Sequence, residues 1–169
     1  TVLDSKEIQC APVQSVNDLL KYIASVDVRQ RGPIGAQTDI SIRGGNFEQI
    51  TVLLNGINIC DPQTGHNAFD FPVDVADIER IEVLEGPAGR VFGTSSLLGA
   101  INIVTKKEKT SNVSAHIDGG SYGYLSGGAS LNLSSGKWTN RVSGSYTRSD
   151  GYSRSKAGKL NGDFYGGKA

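Results

Sequence analysis

Histidine, cysteine and one dense run of amide, hydroxyl and carboxylate groups are the features of this 169-residue chain whose types could support chemistry. The two histidines, His66 and His116, stand fifty positions apart with no second ligand at metal spacing, so no metal site is expected. The run Gly86-Pro87-Ala88-Gly89-Arg90-Val91-Phe92-Gly93-Thr94 has the glycine content of a phosphate loop. It lacks the Lys-Ser or Lys-Thr pair that reaches phosphate and metal, so nucleotide binding is not expected. Carboxylates are scattered, and sequence alone places no two of them across a cleft. The expectation is a protein that is not an enzyme and holds no cofactor. A secreted hydrolase would need a pocket that gathers Asp61, His66 and Asp70.

The segment Asn58-Ile59-Cys60-Asp61-Pro62-Gln63-Thr64-Gly65-His66-Asn67-Ala68-Phe69 offers amide, hydroxyl, imidazole and carboxylate groups close together, with Pro and Gly to shape it. Such a loop suits many-point hydrogen bonding to a neutral polar ligand and has too little positive charge to select an anion. The competing reading is a polar connection that touches only water.

Lys plus Arg and Asp plus Glu are both 17, so no basic surface is available to hold a nucleic-acid backbone. That zero is an average. Residues 1–109 carry 10 basic and 14 acidic side chains, and residues 110–169 carry 7 and 3. Glycine is abundant at 22 of 169, and 12 of these lie from Gly119 onward. No apolar run approaches the roughly 18 residues of a spanning helix, which leaves a β-barrel open. Methionine is absent, which suggests a chain that starts downstream of a removed leader or an excised segment.

The elements that must position these groups fall into two sets. In the first, Ser15 is an N-cap candidate for a helix with Val16, Leu19, Leu20 and Ile23 on one face. Short β-prone runs follow at Val26 to Arg29, Ile40 to Arg43, Ile50 to Leu54, Ile81 to Leu84 and Ile101 to Thr105. Asn55-Gly56 predicts a two-residue hairpin turn, because both positions tolerate positive φ, with Ile57 and Ile59 on the return strand. In the second set, Val113, Ala115 and Ile117 alternate with polar neighbours, as do Leu125 to Leu133 and Trp138 to Tyr146. These read as strands of about ten residues joined at Gly119-Gly120-Ser121 and Ser134-Ser135-Gly136-Lys137. By itself this alternation fits a soluble sandwich or an outer-membrane barrel wall.

Three blocks carry a family resemblance: Ile42-Arg43-Gly44; Val52-Leu53-Leu54-Asn55-Gly56-Ile57; and Ile78-Glu79-Arg80-Ile81-Glu82-Val83-Leu84-Glu85-Gly86-Pro87 through Val91-Phe92-Gly93 to Gly99-Ala100-Ile101-Asn102-Ile103-Val104-Thr105-Lys106. In order and spacing, residues 1–109 resemble the plug domain of TonB-dependent outer-membrane receptors. The strands at 110–169 then resemble the start of that family's barrel. The implied fold class is α+β, a small mixed-sheet plug with short helices followed by antiparallel strands of an incomplete transmembrane β-barrel. The rival is a secreted or periplasmic β-rich binding module that transports nothing.

The resemblance implies residence in the outer membrane of a Gram-negative bacterium, lipid contact through the complete barrel and uptake of a scarce small-molecule nutrient. It also implies TonB as a partner through a segment outside this chain. Some branches add a surface lipoprotein, which stays open here. Within the family, Arg43 matches an arginine that commonly pairs with barrel carboxylates, against the alternative of an exposed edge-strand charge. The family usually has an arginine before Gly-Pro, where this chain has Glu85, so that second wall contact is lost or reversed in polarity. Gly44, Asn55, Gly56, Gly86, Pro87 and Gly93 are assigned to turns, with Gly86, Gly89 and Gly93 also suited to close backbone approach. The outward loops that meet ligand in this family correspond to Arg31, Gly32, Pro33, Ile34, Gly35 and Gln37, and to Asn58, Asp61, Gln63, Thr64, His66 and Asn67. The stretch Ser15-Val16-Asn17-Asp18-Leu19-Leu20 into Val26-Asp27-Val28 looks most like the cobalamin transporters, with siderophore or glycan as alternatives. An oxidising compartment would permit a Cys10–Cys60 disulfide, although the two are placed towards opposite sides of the plug.

Overall fold

The computed structural model describes residues 1–32, 37–45, 47–60, 71–86, 91, 96–136, 138–150 and 164–168. In chain order the elements are β1 (Val2–Leu3), α1 (Ser5–Cys10), α2 (Val16–Leu20), β2 (Val26–Gln30), β3 (Thr38–Ile42), β4 (Ile50–Leu54), β5 (Ile57–Asn58), β6 (Ile78–Glu85), β7 (Gly99–Thr105), β8 (Asn112–Gly119), β9 (Leu125–Ser135), β10 (Trp138–Ser149) and β11 (Phe164–Lys168). The expected α+β class holds. The chain divides into two compact units, one of Thr1–Gln30 and Gln37–Lys106, the other of Arg31–Ala36 and Lys107–Ala169.

In the first unit both helices are short and held by their caps. The Asp4 carboxylate accepts from the backbone N–H of Lys6 and Glu7, and the Glu7 side chain accepts from the Asp4 N–H, a complete capping box at the start of α1. Ser15 caps α2 as expected, its hydroxyl accepting from Asp18 N–H at 3.2 Å. Val16, Leu19, Leu20 and Ile23 are all buried. They pack in one core with Val26, Ile40 and Ile42 of the two-stranded β2–β3 sheet and with the isoleucines of a five-stranded sheet.

That larger sheet runs β1-β6-β7-β4-β5, with β7 antiparallel to β6 and parallel to β4. Central strand β7 is buried from Gly99 to Val104, which explains its near-continuous apolar run. In β6 the register shifts between Ile78 and Arg80, so that Ile78, Ile81 and Val83 are all buried despite their uneven spacing. The β4–β5 turn forms as predicted, with Asn55 at φ +52° and Gly56 at φ +82°.

The second unit is an antiparallel sheet, β11-β10-β9-β8. Its register aligns side chains in rows: Val113, Leu131 and Val142 in one, Ile117, Gly127 and Tyr146 in another, Ser114, Ser130 and Ser143 on the opposite face. The polarity of these rows is inverted relative to a soluble core. Val113, Val142 and Trp138 are 74%, 70% and 77% exposed, whereas Asn132 and Ser126 are 1% and 7% exposed. Groups of the polar face bond to one another, Ser114 Oγ to Ser130 Oγ at 2.7 Å, Ser126 Oγ to Thr147 Oγ1 at 2.9 Å and Arg141 Nη2 to Ser130 Oγ at 3.1 Å. Among the described residues no helix is long and apolar enough to cross a membrane, which says nothing about crossing by strands.

Candidate functional site

One end of the five-stranded sheet gathers the loop-bearing chain crossings. The register sets Ile50 beside Gly99 and Gly99 beside Glu85, so β4 begins, β7 begins and β6 ends at the same place. Leu98 N–H donates to Gln49 O at 3.1 Å, and Gly86 N–H donates to Leu98 O at 2.8 Å, joining the three crossings. Ile59 N–H donates to Val52 O at 3.1 Å, and Cys60 Sγ accepts from Val52 N–H at 3.1 Å. Ile59 and Cys60 therefore lie alongside β4, Cys60 towards this end.

Two glycines make such close crossings fit. A Cβ at Gly99 would meet the Leu84 carbonyl oxygen, and one at Gly45 would meet the Leu98 side chain. Gly86 has φ +70° and open space where a Cβ would go, so it serves backbone geometry and not close approach. Gly89 and Gly93, like Pro87, lie outside the described residues.

Arg43 is not a strand residue, although the β-prone run Ile40 to Arg43 placed it in one: β3 ends at Ile42. The β2–β3 ladder ends at Val26–Ile42, and the chain reverses with Arg43 at φ +52°, Gly44 at φ +75° and Gly45 N–H donating to Ile42 O at 3.0 Å. From this turn Arg43 Nη2 reaches Glu85 Oε2 at 2.6 Å. The two residues assigned to the barrel wall are thus partners of each other within the first unit. The Ser25 hydroxyl and then the Arg43 guanidinium hold the Glu85 carboxyl below the ordinary glutamate range. Ser25 Oγ is buried without a partner in strict hydrogen-bond geometry, so it acts as a nearby dipole and the ion pair is the directional contact.

At the opposite end of the sheet a polar chain runs from the β4–β5 turn across β7 to β6. Gly56 N–H donates to Asn102 Oδ1 at 3.0 Å, Asn102 Nδ2 to Glu82 Oε2 at 2.9 Å and Arg80 Nε to Glu82 Oε1 at 2.7 Å. Asn102 and then Arg80 hold the Glu82 carboxyl below its ordinary value. Sequence reasoning missed this chain, because its members lie up to 46 positions apart and only the β6–β7 register brings Glu82 opposite Asn102.

Of the residues assigned to ligand, Arg31 and Gly32 follow β2 and Gln37 precedes β3, its amide donating to Asp39 Oδ1 at 3.5 Å. Asn58 is exposed at the end of β5, its Oδ1 accepting from Cys60 N–H at 2.8 Å. Pro33, Ile34, Gly35, Asp61, Gln63, Thr64, His66 and Asn67 lie outside the described residues, as does the Asp61, His66 and Asp70 set. Cys10 and Cys60 are free thiols, one exposed at the end of α1 and the other against β4. Gly119-Gly120-Ser121-Tyr122-Gly123 has nucleophile-elbow spacing, yet it turns between antiparallel β8 and β9 and not from strand into helix.

The TonB-dependent Receptor Plug Domain family matches residues 1–100. The vitamin B12 transporter BtuB of Vibrio vulnificus is 33% identical over 114 residues, which is 68% of this chain and 18% of the transporter. The pyoverdine outer membrane receptor FpvA from Pseudomonas aeruginosa superposes with a TM-score of 0.70 at 20% identity, over 88% of this chain and 22% of that one. The copper transporter OprC does so with a TM-score of 0.70 at 23% identity, over 88% and 24%. The chain thus spans only about a fifth of the length of these proteins.

Proposed function

The chain belongs to the TonB-dependent receptor plug-domain family, and from that premise we propose that residues 1–109 plug, and residues 110–169 begin the wall of, an outer-membrane receptor in a Gram-negative bacterium. The whole receptor gates TonB-driven uptake of a scarce nutrient, with cobalamin first among candidates. The observation that carries the reading is the apolar-out, polar-in alternation of β9 and β10, from Leu125 to Ser149, which follows in the chain after a matched plug.

Support for cobalamin comes from the similarity to the vitamin B12 transporter. The near-neutral polar loop 58–69 also suits an uncharged multi-point ligand. The pyoverdine and copper proteins share the fold at lower identity, which keeps siderophore or metal uptake as second readings. In this reading loops 31–37 and 58–69 contact ligand. The Arg43–Glu85 pair joins the β3 turn to the end of β6, so a displacement of either sheet is felt by the other. TonB, contacting a segment outside this chain, supplies the pull, and the protein is a receptor and not an enzyme.

Calorimetry on the complete receptor in detergent tests the ligand. Saturable heat with cobalamin is expected. No heat with cobalamin together with saturable binding of a ferric siderophore would overturn that assignment while leaving the receptor class intact. Solubility without detergent, with a cooperative unfolding transition reported by Trp138, would favour the non-transporting module.

A further inference from the structure

The β4–β5 turn carries a reactive dipeptide. In Asn55-Gly56 the nitrogen after the asparagine belongs to a residue without a Cβ, so little hinders its approach to the side-chain amide carbon. Attack of Gly56 N on Asn55 Cγ forms a five-membered imide. The Cγ–Nδ2 bond breaks, and the amide nitrogen leaves as ammonia with the proton that Gly56 gives up. Water then opens either imide carbonyl, yielding aspartate at position 55 or its isomer whose main chain runs through the side-chain carboxyl. Both residues are exposed, so water is at hand.

Strand β7 holds the reacting groups apart. Gly56 N–H, which must lose its proton to attack, is bonded at 3.0 Å to Asn102 Oδ1, an amide oxygen too weakly basic to take it. Asn55 Nδ2 donates to Thr105 Oγ1 at 3.0 Å, and Asn55 Oδ1 accepts from Thr105 N–H at 3.0 Å. Asn55 N–H donates to Ile103 O at 2.8 Å. Nucleophile and electrophile are therefore fastened to different residues of one strand, and Asn102 is anchored in turn by Glu82.

We propose that Asn55-Gly56 is a latent self-modification site, kept closed by Asn102 and Thr105 and released when the β4–β5 hairpin parts from β7. Reaction there is irreversible. The isomer lengthens the main chain of a two-residue turn, which disrupts the Leu54–Ile57 pairing and displaces the start of the segment beyond Ile59. Each opening of the sheet at this edge carries a chance of permanent damage to the loop that follows.

The test incubates the complete receptor at mildly alkaline pH, folded in detergent or unfolded in urea. The tryptic peptide from Gly44 to Arg80 is then read for amide-to-acid mass gain at Asn55, with isoaspartyl methylation marking the isomer. Folded protein is expected to react at least roughly tenfold more slowly than unfolded, the factor that one to two net hydrogen bonds supply. Asn102→Ala and Thr105→Val, checked for native circular dichroism, are expected to recover several-fold of that difference. Equal rates in folded and unfolded wild type would overturn the proposal, as would wild-type protection in both variants. The wild-type comparison stands even where a variant fails to fold.

Discussion

Arg43 occupies a backbone region that costs an L-residue about 1–2 kcal/mol and that glycine enters freely. Its guanidinium is largely exposed, and ion pairs of that kind stabilise little. Backbone strain should therefore outweigh the lost pair, so Arg43→Gly is expected to be no less stable to urea than wild type, whereas Arg43→Ala, which keeps the strain, is less stable. Acid should reveal the carboxylates. Glu82 and Glu85 are both held below their ordinary value near 4.5, so their stabilisation is complete above that pH and is lost as the pH falls through their folded values. The urea midpoint should drop below about pH 4.5, and the drop should be shallower in Glu82→Gln and Glu85→Gln. The glycines show what was legible at this scale. Asn55-Gly56 could be read from two neighbours, because a hairpin turn is a local matter. Gly99 could not, because the carbonyl it makes room for belongs to Leu84, fifteen positions earlier on another strand.

Among elements, legibility followed length and periodicity. The α2 face and the β4, β7, β9 and β10 runs are long or patterned enough to be seen, whereas β1 has two residues and α1 six with Ile8 as its buried position. The helix α1 still had a signal: Asp4 followed three residues later by Glu7. Because so short a helix gains little from packing, its cap should matter more than its propensity. Asp4→Ala is expected to cost about 1 kcal/mol, read by denaturant unfolding, with loss of helical circular dichroism. Gly99→Ala should cost more, about 1–3 kcal/mol or above, because the obstacle is backbone and cannot rotate away. If Gly99→Ala proved milder than Asp4→Ala, the tight β6–β7 crossing would not be what the glycine serves. The candidate site was legible only in part for the same reason: its blocks could be matched in order, but the pairing of Arg43 with Glu85 depends on where two sheets end.

At the scale of the whole molecule, one register separates a membrane wall from a soluble sheet. Val113, Leu131 and Val142 form a continuous row across three strands, and a shift of one residue along β10 reaches Ser143 on the covered polar face. The alternation in the sequence showed two faces without showing which faced outward, because a soluble sandwich has the same period. Within this chain valine and tryptophan are exposed while Ser126, Ser130 and Asn132 are buried. If the outer face meets lipid, a charge placed there near mid-depth costs about 2–4 kcal/mol, while the same charge on the polar face is tolerated. In the complete receptor Val142→Lys is therefore expected to reduce the folded, heat-modifiable species in outer-membrane fractions, and Ser143→Lys to leave it near wild type. In a sandwich packed on its apolar face Val142→Lys would also be harmful, so the variants are read together with detergent dependence. A loss on Val142→Lys in protein that needs no detergent would identify a soluble core. A loss confined to Val142→Lys in detergent-dependent protein places that row against the hydrocarbon.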